Sequence, residues 1–157
     1  MWKIKKFKFR LQPVLNYRQR KEDALKRELA LAKQQFEQEK SLLEDVKLKL
    51  SNLQQEVRVK QQSSFDASEA IMHSNHINRI EREIEIRMIR LADIASEVRK
   101  IQERLITASK DKKILEKLHD KKYEWFKKET DKLEQASLDE LATIRQGQLS
   151  SLKENKC

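Results

Sequence analysis

His73 and His76 stand three residues apart, a spacing that places two imidazoles on one face of a helix, where they could share a metal ion. A metal site needs further ligands. No nearby cysteine or suitably spaced third histidine completes one, so the two read as surface or end-of-seam histidines and no metal is expected. Carboxylate pairs such as Glu81 and Glu85 suggest acid-base chemistry, but without a pocket to desolvate them they read as solvated helix faces. The chain has no Ser-His-Asp arrangement and no glycine-rich phosphate loop, so neither an enzyme nor a cofactor is expected. The remaining chemistry is that of binding. Tyr123, Trp125 and Phe126 cluster inside KKYEWFKKE with lysines on both sides, and such a group either anchors a protein interface or covers the end of a helical pair. Trp2, Ile4, Phe7 and Phe9 interleave with lysines in an N-terminal tail that either touches an acidic partner or anionic lipid, or frays.

The elements that must position these groups follow from composition. The only proline is Pro13 and the only glycine is Gly147, so residues 14–146 lack both of the strongest interrupters of regular structure. Charged residues make up 39% of the chain and hydrophobic ones 38%, too polar a balance for a globular core and well matched to helices that each bury one narrow stripe. The net charge is +9, and residues 1–10 supply more than half of it through Lys3, Lys5, Lys6, Lys8 and Arg10. A nucleic-acid binder spreads its basic excess along a docking face, so no nucleic acid is expected. No stretch approaches the roughly 18 apolar residues of a membrane span, nor is the basic start followed by the apolar block of a signal peptide. A single Cys157 cannot form an internal disulfide, which fits a reducing compartment, and a cytoplasmic protein is expected.

A heptad frame with Leu15 at position a gives an a series of Leu15, Glu22, Leu29, Phe36, Leu43, Leu50 and Val57. Its d series is Arg18, Leu25, Ala32, Glu39, Val46, Leu53 and Lys60. Such a stripe is buried only if another helix lies along it. A second seam runs through Ile77, Ile80, Ile84, Arg87, Leu91, Ile94, Val98, Ile101, Leu105 and Ala108, and beyond it the pattern is half polar. The two are out of register, because the first extended by sevens reaches position 78 while the second uses 77, a turn of roughly 100° on a straight helix. Asp66 and Glu69 have capping-box spacing, flanked by Phe65 and Ala70 as a hydrophobic staple. These signals predict a reversal over about 61–68 between helices of about 12–60 and 67–146, roughly 70 Å and 120 Å long. The expected fold is all-α: an antiparallel coiled-coil hairpin over 11–150 whose longer second helix overhangs the first, with a basic tail at 1–10 and a flexible tail at 147–157.

The opening FKFRLQPVLNYRQRKEDALKRELA, residues 7–30, resembles the start of the FliJ family, the small coiled-coil component of the bacterial flagellar type III export apparatus. Ala67 through Leu91, with His73, Ile77, Ile80 and Ile84 on one face, is similar to that family's second-helix start, and EKLHDKKYEWFKKETDKLEQASLDELATIRQ is similar to its C-terminal part. The resemblance implies a protein shaped like the central stalk of rotary ATPases. It implies binding in or near the pore of the export ATPase hexamer, contact with the export gate in the membrane and escort of export chaperones. By that likeness the ATPase-facing residues are Leu11, Leu15, Arg18, Tyr123, Trp125, Phe126 and Leu133, and the gate-facing ones His76, Ile80, Glu83 and Arg87. Charged residues stand at two of those four positions, and His76 where an aromatic or apolar residue is expected. Localisation would be cytoplasmic and peripheral to the cell membrane.

Two rivals stand beside this reading. One is a homo-oligomeric coiled coil whose residues 77–108 form a parallel dimer, and the other an RNA or membrane binder acting through the tail, whose binding deletion of residues 1–10 would abolish. Light scattering separates the first from the hairpin. A hairpin closes its seam at the mass of one chain, 18.8 kDa, whereas the dimer needs two.

Overall fold

The computed structural model describes residues 6–63 and 66–154, with side chains described as far as Gly147. Two helices account for nearly all of it: α1, Gln12–Gln61, of 50 residues, and α2, Ala67–Glu154, of 88. The fold is the expected all-α antiparallel hairpin with the second helix longer.

Local chemistry sets the helix ends. Pro13 lies in the first turn of α1, where its missing amide hydrogen costs nothing, and the Leu11 carbonyl accepts the first helical bond from Leu15 N at 2.9 Å. At the far end Gln62 N and Ser63 N donate to the carbonyls of Val59 and Lys60 at 3.2 and 3.1 Å, and Ser63 Oγ also donates to Lys60 O. This tight last turn satisfies carbonyls that the helix leaves open. Asp66 immediately precedes α2 and its carbonyl accepts from Ala70 N at 3.0 Å, while Glu69 places negative charge in the first turn. The Phe65 half of the expected staple lies outside the described residues, as do Trp2, Ile4 and Cys157.

The C-terminal boundary differs from expectation. Helix α2 does not stop in the mid-140s with a flexible tail from 147 but runs through Gly147 to Glu154. Gly147 has no left-handed backbone, so it is not used as a helix stop, and its missing side chain makes room for nothing: a Cβ there would meet no atom within 4 Å. A glycine inside a helix costs about 1 kcal/mol relative to alanine, which good helix formers on either side, such as Arg145, Gln146 and Leu149, absorb.

The chain divides into two packing units, Arg20–Ser109 and Met1–Gln19 with Lys110–Cys157. In the first, the helices run antiparallel, since Glu28 meets Arg104 and Glu39 meets Arg87. Its core is the pair of seams: Leu25, Ala32, Leu43 and Val46 of α1 and Ile101 and Ala108 of α2 are buried, as are the seam carboxylates Glu22 and Glu39, and the remaining seam positions are half-buried, with Lys60 alone exposed. Residues 77–108 thus already have a partner in their own chain. In the second unit Arg18 meets Asp111, and Phe7 and Phe9, which precede α1, lie on the stretch His119 to Phe126 of α2. Helix α2 then continues well past any part of α1.

Because each helix contributes one stripe, single seam residues carry much of the stability. Leu25→Ala, at a position only 3% exposed, is expected to lower unfolding free energy by about 2–5 kcal/mol in urea denaturation. Leu31→Ala on the outer face, 62% exposed, should stay within about 0.5 kcal/mol of the parent.

Candidate functional site

Two groups of side chains stand out, one in each packing unit. The first is polar. Glu39 occupies a d position of the α1 seam and is buried to 6% exposure, which an isolated carboxylate could not tolerate. Arg87, the one polar residue in the α2 seam, donates from Nη1 to Glu39 Oε1 at 2.9 Å and from Nε to Glu83 Oε1 at 3.1 Å. Arg90 approaches the second Glu39 oxygen at 3.8 Å. The hydrogen bonds to Glu83 and then Glu39 raise the Arg87 pKa above its ordinary value. The stabilisation from a raised pKa is complete below the unfolded value and fades only as pH rises through the folded one, so the guanidinium is charged at every pH at which the protein works. The polar interruption of the α2 seam therefore answers Glu39 of the α1 seam.

The second group is aromatic. Between residues 6 and 10 burial alternates, with Phe7 and Phe9 half-buried and Lys6, Lys8 and Arg10 exposed. Phe7 meets His119 edge-on at 5.5 Å and Tyr123 edge-on at 5.3 Å, and Phe126 at a tilt at 5.5 Å, while Phe9 meets His119 edge-on at 5.0 Å. Pairs of this geometry each contribute about 0.5–1.5 kcal/mol beyond their buried area. His119 Nδ1 lies 3.2 Å from Asp120 Oδ1. Below this cluster Arg18 donates to Asp111 at 2.9 Å.

The structure distributes the residues singled out in the sequence unevenly. Tyr123 and Phe126 join the aromatic cluster, Leu15 and Arg18 are half-buried on the seam, and Leu11 sits at the edge of exposure at 37%. Trp125 points away from the cluster and is 67% exposed, and Leu133 is 69% exposed. Of the four residues early in α2, Ile80 is half-buried on the seam and Arg87 is engaged by Glu39, while His76 and Glu83 are exposed. Glu81 and Glu85 are exposed on α2, His73 is half-buried, and among the described residues no group of three His, Cys, Asp or Glu side chains converges to hold a metal. Sequence reasoning missed the membership of Phe7, Phe9 and His119 in the cluster. The signal was present in the strict alternation of Lys6, Phe7, Lys8, Phe9 and Arg10, which gives the segment one apolar side.

The arrangement offers exposed apolar surface beside an aromatic cluster, in a helix that outruns its partner. If the Glu39 pair sets the register, Arg87→Met should lower the melting temperature by leaving Glu39 buried without its main partner. The double change Glu39→Leu with Arg87→Leu should recover it, while cysteines placed across the seam now form disulfides in more than one register.

A family model described as Flagellar FliJ protein matches residues 7–149. No curated protein and no solved structure matches the chain.

Proposed function

Since the chain belongs to the FliJ family and is a component of the flagellar export apparatus, we propose that it couples the export ATPase hexamer to the membrane export gate without catalysing a reaction itself, and that it escorts export chaperones. The observation that carries this reading is the run of apolar side chains left open where α2 passes the start of α1. Leu133, Leu138, Leu141 and Ile144 are 69, 65, 61 and 52% exposed. Exposed apolar side chains aligned on one helix are what a groove or pore of a partner can bury, and the neighbouring aromatics supply anchors of the kind that dominate interface energy.

The ATPase-facing set comprises Leu11, Leu15, Arg18, Tyr123, Trp125, Phe126 and Leu133, all of them in the unit that contains the N-terminal segment and the end of α2. The gate-facing set, His76, Ile80, Glu83 and Arg87, belongs to the other unit. Within that set His76 and Glu83 are exposed, while Arg87 acts indirectly by holding Glu83 through their hydrogen bond. No helix among the described residues is long and apolar enough to cross a membrane, and attachment to the membrane through the gate makes the protein peripheral and cytoplasmic in this reading.

Pull-down with the flagellar export ATPase tests the first half. The intact chain is expected to be retained and a chain lacking residues 120–157 to be lost, and failure of the intact chain to bind would sink the proposal. For the second half, His76→Ala with Glu83→Ala should weaken capture by the cytoplasmic part of the gate protein and leave ATPase retention unchanged.

A further inference from the structure

Helix α2 carries an ordered face on the side away from the aromatic cluster. Ile114, Lys117, Lys121, Trp125, Lys128 and Lys132 follow one another at steps of three or four residues and so share one side of the helix. At roughly 100° per residue, that side lies nearly opposite the one from which His119, Tyr123 and Phe126 receive Phe7. All six side chains are exposed, Ile114 at 66% and Trp125 at 67%. Between Ile114 and Leu118 the face opens into a shallow groove bordered by Lys117 and Lys121, with Asp120 and Glu124 on its rim.

The row holds four lysines and no acid, and its charge is largely uncompensated. Lys132 reaches Glu129 at 3.5 Å, while Lys117, Lys121 and Lys128 make no ion pair with a described residue. Most acids of the stretch are engaged elsewhere: Asp111 by Arg18, Glu116 by Lys112 and Asp120 by His119, which leaves Glu124 and Asp131 as the acidic neighbours of the row. Cations interleaved with large apolar groups on one helix face are what a helix lying flat on an anionic membrane needs. Tryptophan sits at the level of the headgroups, isoleucine enters the acyl boundary, and lysine stems run along the apolar surface while their ammonium groups stay in the wet layer. All four cations are lysines, compact point charges suited to a diffuse anionic surface, whereas a nucleic-acid backbone or a single bound phosphate favours the planar fork of arginine. The six residues span roughly 27 Å along one helix, so a flat surface meets all of them at once.

We propose that this face of α2 binds anionic lipid directly, with Ile114 and Trp125 seated at the headgroup boundary and Lys117, Lys121, Lys128 and Lys132 neutralising lipid charge. The contact needs neither the export ATPase nor the gate protein, so its failure leaves the proposed function standing. Trp125 cannot serve a membrane and the ATPase at once, and the two surfaces therefore compete for it.

Co-sedimentation of the full chain with lipid vesicles tests the proposal. Binding is expected to vesicles of phosphatidylglycerol in phosphatidylcholine and not to phosphatidylcholine alone. Lys117→Gln, Lys121→Gln and Lys128→Gln together should weaken it about a hundredfold, at about fivefold for each lysine near an anionic surface. Lys33→Gln, Lys40→Gln and Lys47→Gln remove the same charge from exposed positions of α1 and should leave most of the binding in place. All six lysines are exposed, so both triple variants are expected to keep the parent melting temperature. In the chain carrying Trp2→Phe, Trp125 is the sole tryptophan, and its emission should move to shorter wavelength as anionic vesicles are added. Equal loss from the two lysine triples would overturn the proposal, since net charge rather than this face would then be what binds. An unmoved Trp125 emission in a chain that does sediment would overturn it as well. Absence of binding to the anionic vesicles would overturn it in favour of an acidic protein surface.

Discussion

A carboxylate buried in an apolar seam constrains the alignments that the paired helices can take. Leucine, isoleucine and valine layers are nearly interchangeable, so sliding one helix by a heptad exchanges one acceptable apolar layer for another. Glu39 removes that freedom. A slip of seven residues moves α2 by roughly 10 Å and sets Ile80 or Ile94 opposite Glu39, which leaves a charge in an apolar layer without its guanidinium. Arg87 at 2.9 Å is the only seam residue of α2 that can answer it. An ion pair of this kind adds little net stability over a well-packed apolar layer, and its physical effect is to make every other alignment worse. The cost falls on the competitors of the native state, which is how one polar layer can specify an arrangement that many apolar layers merely permit.

The other packing unit faces the opposite problem, for there α2 is longer than anything α1 can supply. Arg18 and Asp111 form a side-chain ion pair between the helices. Beyond it the segment that precedes α1 packs Phe7 and Phe9 against α2. From Leu133 to Ile144 the apolar side chains Leu133, Leu138, Leu141 and Ile144 stay exposed. Exposure of this kind is a consequence of unequal helix lengths and needs no specialised pocket.

Much of this was legible in the residues, and the misses have physical causes. The starts of both helices were readable because Pro13 and Asp66 act locally, through the missing amide and the first-turn carbonyl, and the same residues do the same work in any context. The seams were readable because apolar periodicity over many turns admits one burial pattern, and nearly every seam position is in fact covered. Gly147 misled because a glycine ends a helix only when its backbone adopts the left-handed conformation, and nothing in its neighbours demands that here. The aromatic cluster was half visible: Tyr123 and Phe126 announced themselves by type. Phe7, Phe9 and His119 needed the knowledge of which part of α2 the segment before α1 would cross.

By itself the sequence determined two helices, the face each one buries, the reversal between them and the inequality of their lengths. All of these follow from interactions within a few turns of chain or from a periodic pattern that sums over many residues. Only the tertiary structure decided which residue of one helix meets which residue of the other, and hence that Glu39 finds Arg87, Arg18 finds Asp111 and Phe7 finds Phe126. Pairing is a relation between distant segments, and the apolar layers that supply most of the binding energy are too alike to choose it. The choice rests with a few charged and aromatic side chains whose partners are fixed only when the two helices lie together.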